Sequence, residues 1–260
     1  MEKLDKDNLG DRPHVVEKTI YQPMADVEQF IVPLLKEHID KFLSFEGKPL
    51  KENSRVLDAG CGGQPFREKL EELGYCYIST DVNQNPEKSV DVLCQMDGDI
   101  SAELLRLGLF DLIFCTEVME HVADWDKAFS NFSQLLNFEG KLFITCPHFY
   151  PLHEVPYDFW RPTPYALQYF ANKYGLVVLC QENAGDVWDI IGTILGSFYS
   201  VPASHSFRDR SFNYIVRHCH KFLFKLLCNR TLQKSIQLKN SPYLSEMLYM
   251  SNILICQKQS

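Results

Sequence analysis

The stretch VLDAGCGGQPF, residues 56–66, sets three glycines within four positions directly behind an apolar run. Glycine lacks a Cβ and takes left-handed backbone conformations at little cost, so such a run marks a tight turn that brings main chain close to a neighbour. Upstream, SRVLDAG reads as a short buried strand. Downstream, PFREKLEELG reads as a helix with Pro65 near its start and Gly74 at its end. A strand, a glycine turn and a helix in that order form the unit whose repetition builds a parallel sheet covered by helices.

The rest of the chain repeats the alternation. CYISTD and SVDVLC read as strands, ISAELLRLG as a short helix, LFDLIFCT as a strand, and DWDKAFSNFSQLLNFEG as a helix closed by Gly140. KLFITCP is the next strand, followed by a loop rich in proline and aromatic residues, the helix TPYALQYFANKYG and the strand LVVLCQ. Before the glycine turn, Val27, Phe30, Ile31, Leu34, Leu35, Ile39, Phe42 and Leu43 recur at helical spacing across Met24–Phe45, with Pro33 inside the run. Residues 186–245 read as mostly helical, and SNILICQKQ as a final strand. The expected architecture is α/β: a Rossmann-like, seven-stranded, mostly parallel sheet with helices on both faces. One domain is expected over residues 1–260, divided into an N-terminal helical cap (1–50), a core (51–183), a late helical insertion (184–250) and a last strand (251–260).

Composition narrows the partners. The 260 residues are 45% apolar and 23% charged, with a net charge of −8. That acidic balance argues against a broad nucleic-acid footprint, so no nucleic acid is expected. The start, MEKLDKDNLGDRPHVVEK, is charged, and no apolar run approaches the roughly 18 residues that span a bilayer. Nine scattered cysteines, among them Cys94, Cys115, Cys146, Cys180 and Cys256 in apparent core strands, form no CxxC pair. A cytoplasmic protein with reduced, buried thiols is expected.

The glycine turn selects among ligands. In open α/β sheets a ligand lies beyond the carboxyl ends of the strands, where strand order reverses. Asp81 ends the strand after the turn, 21 residues past Gly60, and a carboxylate there is placed to take ribose hydroxyls. A dinucleotide site wants a third glycine where this chain has Pro65, and Asp58 would repel a pyrophosphate. The pattern instead favours a nucleoside that carries a positive centre.

D-A-G-C-G-G, the strand-ending S-T-D-V-N and the later F-D-L-I-F-C-T-E-V-M-E-H-V together resemble class I S-adenosylmethionine-dependent methyltransferases, nearest the type 11 methyltransferase-domain group. The resemblance covers roughly residues 54–183 and the last strand. It implies S-adenosylmethionine as methyl donor and S-adenosylhomocysteine as product. By position, Gly60, Cys61 and Gly62 would line the methionine part with Asp58 near its amino group. Asp81 would hold the ribose, and Val82 would lie beside the adenine. Met96 and Asp97 (or Gln95) would flank the adenine, while Cys115, Thr116 and Glu117 would border the methyl group.

The loop CPHFYPLHEVPYDFWRPTP is the expected acceptor side, since loops at the edge of a rigid sheet carry binding groups. His153 and His148 are candidate bases because imidazole titrates near neutrality. His121 and Glu117 are further candidates for the reacting region. Glu154, Tyr157, Trp160 and Arg161, with Tyr21 of the N-terminal segment, are candidate acceptor contacts, although Asp158 and Arg161 also read as a structural ion pair. H-E-V-P-Y-D-F-W-R resembles a segment of type 11 enzymes that accompany glycan or natural-product biosynthesis. His148, His153 and Glu154 lack tight ligand spacing, so no metal is expected. Between Phe207 and Asn240, eight Lys or Arg face one acid, and Arg217, Lys221 and Lys225 share a helical face. That stretch reads as a solvated surface, a lid over an anionic or amphiphilic acceptor, a peripheral contact with an anionic membrane, or a dimer contact. The expected reaction is methyl transfer to an oxygen, with nitrogen second, of a small metabolite, natural product or glycan intermediate. The alternatives are an RNA or protein methyltransferase and a non-catalytic cofactor-binding protein.

Overall fold

The computed structural model describes residues 19–197, 207–229 and 247–259. Among these residues seven strands form one sheet: β1 (Arg55–Ala59), β2 (Cys76–Asp81), β3 (Val92–Leu93), β4 (Phe110–Thr116), β5 (Leu136–Pro147), β6 (Leu176–Ala184) and β7 (Ser251–Lys258). Their order is β3-β2-β1-β4-β5-β7-β6. All neighbours are parallel except β7, which runs antiparallel to both β5 and β6.

The strands carry apolar residues at successive positions because both faces are covered. In β4, Leu112 and Phe114 enter one core layer while Ile113 and Cys115 enter the other. One layer packs under α3 (Ala102–Leu107), α4 (Trp125–Leu135) and α5 (Pro164–Lys173), through Leu104, Phe129, Phe132, Leu167 and Ala171. The opposite layer packs under α1 (Glu28–Phe45) through Leu35, Ile39, Phe42 and Leu43, and under α2 (Arg67–Glu72) through Leu70. An aromatic row joins these elements. Phe42 stacks on Phe143 with centroids 4.3 Å apart, Phe143 on Phe114 at 5.2 Å, and Phe66 meets Phe114 edge-on at 5.3 Å.

Three boundaries differ from the sequence expectation. The helix expected to close at Gly140 stops at Leu135, and NFEG belongs to β5. Pairing with β4 shifts register between Phe110 and Leu112. A Cβ on Gly140 would lie 2.9 Å from the Asn137 oxygen and 3.0 Å from that of Phe110, so this glycine serves close strand approach rather than a helix end. SVDVLC yields only a two-residue strand, whereas LVVLCQ extends to Ala184 because β7 pairs along its whole length.

Between β6 and β7 the described residues form α6 (Val187–Ser197) and α7 (Phe207–Cys228). On α7, Arg217, Lys221 and Lys225 are exposed, as are Phe222 and Leu223. Residues 230–240, which complete the expected basic stretch, lie outside the described residues. Among those described, no helix is long and apolar enough to cross a membrane. All nine cysteines are free thiols. Cys180 is only half-buried because β6 is the sheet edge, and Cys76, Cys219 and Cys228 are exposed, contrary to a uniformly buried set.

Helix α6 lies against α1 with no room for a side chain at Gly192, where a Cβ would fall 2.2 Å from the ring of Phe30. Gly192→Ala should therefore destabilise the protein by about 1–3 kcal/mol, the usual range for overpacking, read as a lower thermal-unfolding midpoint.

Candidate active site

Strand order reverses between β1 and β4, and the turns leaving these strands lie side by side. Gly60 has φ +76°, and a Cβ there would fall 2.4 Å from Val118 Cγ2, so only glycine lets the two turns meet. A cavity of about 590 Å³ opens above them, within the size range of small-molecule sites.

One end of the cavity is ordered by Asp81. Its Oδ2 accepts a hydrogen bond from Gly62 N at 3.0 Å, and its Oδ1 accepts one from Val82 N at 2.7 Å. The carboxylate thus ties the glycine turn to the end of β2 while lining the cavity with Gly60, Gly62 and Val82. Met96 and Asp97 line it as well. Asp97 Oδ2 accepts from Ala123 N at 3.0 Å and Asp124 N at 3.1 Å, whereas its buried Oδ1 has no hydrogen-bond partner among the described residues.

Asp58, Cys61, Cys115 and Thr116 do not line the cavity. Asp58 lies beneath it, 3% exposed, accepting a 2.6 Å hydrogen bond from the Tyr77 hydroxyl. Burial, assisted by the Asp81 charge and opposed by that hydrogen bond, pushes its carboxyl up to about 7. Cys115 is buried among core residues of β4. The thiol of Cys61 points to the Gly62 carbonyl and is pushed up by burial, then by Asp58 and Asp81.

The opposite end is formed by Glu117, Glu120, His121, Tyr150, His153 and Glu154. Glu117 and Glu154 hold left-handed backbone, φ +54° and +50°, which costs a non-glycine residue energy and concentrates at functional sites. Glu117 leaves β4 with its N–H donating to Thr145 O at 3.1 Å. A one-turn 3₁₀ helix, Met119–His121, then presents Glu120 and His121 to the loop after β5. His121 Nδ1 lies 2.9 Å from the Tyr157 carbonyl and its Nε2 lies 3.2 Å from His153 Nε2. Burial and the neighbouring His121 ring hold His153 below the ordinary imidazole range. Glu120 is completely buried, and burial with the Glu117 carboxylate beside it drives its acid form upward.

The acceptor-loop expectation divides. His153 and Glu154 reach the cavity, but His148 does not: its ring stacks on Tyr249 and its Nδ1 lies 2.9 Å from the Pro162 carbonyl. Tyr157 contributes through its backbone. Trp160 donates its indole N–H to Val122 O at 2.8 Å and packs on Trp125. Arg161 grips Asp158 with two hydrogen bonds, 2.6 and 2.7 Å, and donates to the carbonyls of Tyr150 and Pro151. These last three side chains shape the loop rather than face the cavity. Tyr21 reaches the cavity wall against Phe66. Sequence reasoning missed Glu120, Tyr150 and the α1 residues Glu28, Ile31, Val32 and Leu35 in the lining. The α1 residues belong to an apolar stripe that reads as ordinary core, and nothing in the chain marks which of them reach the cavity.

Comparison with known proteins agrees with this geometry. A family model described as a methyltransferase domain matches residues 33–181, more than half of the chain, and the protein belongs to that family. The three motifs that resemble class I S-adenosylmethionine-dependent methyltransferases fall within the matched region. The chain is 30% identical over 145 residues to the mitochondrial ubiquinone biosynthesis O-methyltransferase of Bos taurus, covering 50% of this chain and 38% of that protein. It is 28% identical over 126 residues to the ubiquinone biosynthesis O-methyltransferase of Coxiella burnetii, covering 44% of this chain and 50% of that protein. The chain thus spans half or less of the length of these curated relatives. In fold it is similar to an S-adenosylmethionine-dependent methyltransferase from Archaeoglobus fulgidus, with TM-score 0.53, 16% identity, and 89% and 97% of the two chains covered. It is likewise similar to a putative sarcosine dimethylglycine methyltransferase from Galdieria sulphuraria, with TM-score 0.52, 14% identity and 94% of each chain covered.

Asp58 makes stability depend on pH. The folded protein keeps on Asp58 a proton that the unfolded chain releases near pH 4, so this group's contribution declines as pH rises from about 4 to about 7. Asp58→Asn keeps an acceptor for Tyr77 and removes the titration. Relative to wild type it should gain stability between pH 5 and pH 8, on the order of 2–3 kcal/mol, measured by denaturant unfolding at both values.

Proposed function

We propose that the protein transfers a methyl group from S-adenosylmethionine to an oxygen of a small, uncharged acceptor, leaving S-adenosylhomocysteine. The observation that carries this reading is a single cavity at the strand-order reversal, with a nucleoside-type cradle at one end and an imidazole–carboxylate cluster at the other.

The residues fit the cofactor. Asp97 Oδ1, in the cavity wall, is a buried acceptor without a hydrogen-bond partner among the described residues, suited to an exocyclic amine of adenine. Asp81, oriented by three backbone N–H groups, has lone pairs left for ribose hydroxyls. The missing Cβ at Gly60 and the open space at Gly62 let a ligand approach the main chain. S-adenosylmethionine supplies an electrophilic methyl group on a sulfonium. The protein then has to exclude water, align the acceptor and take charge of its hydroxyl proton.

The lining also restricts the acceptor. Among the described residues it contains six carboxylates (Glu28, Asp81, Asp97, Glu117, Glu120 and Glu154), and neither Lys nor Arg. An acceptor with phosphate or carboxylate near the reacting atom would be repelled, which also disfavours RNA. The name of the curated relatives, O-methyltransferase, supports oxygen over nitrogen. A nitrogen acceptor is the second reading, favoured by the same carboxylates, which would attract an ammonium ion.

Calorimetry with S-adenosylmethionine tests the donor. Wild type should bind, while Asp97→Ala and Asp81→Ala should each weaken binding about 10- to 100-fold, as expected when a charge-assisted hydrogen bond is lost. No heat from the wild-type protein would sink the reading. Incubation with methyl-labelled cofactor and a metabolite extract, followed by mass spectrometry, should place the label on a neutral hydroxyl compound. Label on an amine would establish the second reading, and binding without label on any acceptor would leave a non-catalytic binder.

A further inference from the structure

Glu120, His121 and His153 bring one carboxylate oxygen and two imidazole nitrogens toward a common point at the acceptor end of the cavity. His121 Nε2 and His153 Nε2 lie 3.2 Å apart, and Glu120 Oε1 lies 3.8 Å from the first and 3.9 Å from the second. A point equidistant from three atoms so spaced falls about 2.1 Å from each, the bond length of a divalent first-row metal to imidazole nitrogen or carboxylate oxygen.

The partners behind the rings set where the protons sit. His121 Nδ1 faces the Tyr157 carbonyl at 2.9 Å. His153 Nδ1 faces Asp158 Oδ2 at 3.2 Å and the Pro151 carbonyl at 3.3 Å. All three can accept a hydrogen bond, and a neutral ring protonated on Nδ1 would direct its Nε2 lone pair to the shared point. Asp158 is in turn fixed by the Arg161 fork. Carbonyls and carboxylates behind metal-ligating histidines fix tautomer and ring orientation in this manner.

Glu120 supplies an independent observation. It is completely buried, and neither of its oxygens has a hydrogen-bond partner among the described residues. A carboxylate in that position is strongly unfavourable unless a positive charge faces it. Six carboxylates around one cavity also draw cations into it.

We propose that Glu120, His121 and His153 form a binding site for a divalent first-row transition cation. Two imidazoles and one carboxylate suit Mn²⁺, Fe²⁺, Co²⁺ or Zn²⁺ rather than Ca²⁺, which takes oxygen ligands alone. Three protein ligands leave coordination positions open to the cavity. A cation there would take the oxygen of an acceptor hydroxyl and lower its pKa; the O–H bond breaks, the electron pair stays on oxygen, and the proton passes to water. This use rests on the methyl-transfer reading, whereas occupancy of the site does not.

The test is titration of the full, tag-free, chelator-treated chain with Co²⁺, followed by calorimetry and visible absorption. One Co²⁺ per chain is expected, with d–d bands and without a thiolate charge-transfer band, since none of the nine cysteines belongs to the ligand set. His153→Ala and Glu120→Gln should each weaken binding at least about 100-fold, while His218→Ala, on the exposed face of α7, leaves it unchanged. Circular dichroism checks that each variant folds, and His153→Ala, on the half-exposed loop, decides the matter if Glu120→Gln does not fold. Absence of stoichiometric binding, a thiolate spectrum, or binding that survives the ligand substitutions would overturn the proposal. Intact Co²⁺ binding in a chain that fails to bind S-adenosylmethionine would support the site and count against the methyl-transfer reading alone.

Discussion

The site depends on one close approach, that of the turn leaving β1 to the turn leaving β4. The missing Cβ at Gly60 lets Val118 sit where any other side chain would intrude. With the turns in contact, Asp81 can bridge to Gly62 N, and the segment Glu117–His121 is set over the same opening. Core packing on both sheet faces then makes this arrangement rigid. The Phe42–Phe143–Phe114–Phe66 row carries that packing from α1 to the cavity wall, so a cap helix and the glycine turn share one core layer.

Charge gives the cavity its character. Carboxylates line both ends, and two acids are fully buried, Glu120 in the cavity wall and Asp58 under its floor. Both have acid forms pushed upward by burial, so both would be relieved by a positive ligand. A sulfonium donor at one end and a proton or metal ion at the other, as proposed, would be different answers to the same electrostatic situation.

The sheet was legible because its signals are local, and so was the meeting of Gly60, Gly62 and Asp81 at one end of the cavity. Apolar strands, the glycine turn and the strand-ending Asp81 each announce themselves within a few residues. The opposite end of the cavity was not legible in this way. Nothing in C-P-H-F-Y-P-L-H distinguishes His148 from His153, because the choice is made by Tyr249, Pro162, Asp158 and Arg161, residues brought together only by the loop's path. Glu120 escaped for a related reason. In T-E-V-M-E-H-V the periodicity of a single 3₁₀ turn does not reveal that a carboxylate there is fully enclosed. The α4–β5 boundary was misplaced because a glycine after a helical pattern reads as a cap, while Gly140 answers to the backbone of Phe110 across the sheet.

The position of β7 has a consequence for how the chain assembles. It lies between β5 and β6 and pairs with both, yet follows β6 by more than sixty residues in sequence. Until it arrives, β5 has one open edge and β6 has no place in the sheet at all. Contacts of such long sequence separation are slow to form, because chain entropy must be lost before any pairing energy is gained. During synthesis the nascent protein therefore carries β5 with one edge unpaired and β6 with no strand partner, and only the β7 ladder joins them. The cavity wall that depends on the loop between β5 and α5 is anchored at that same moment, through the hydrogen bonds from His148 N and Phe149 N to Met250 O. Completion of the site and completion of the sheet are then a single event.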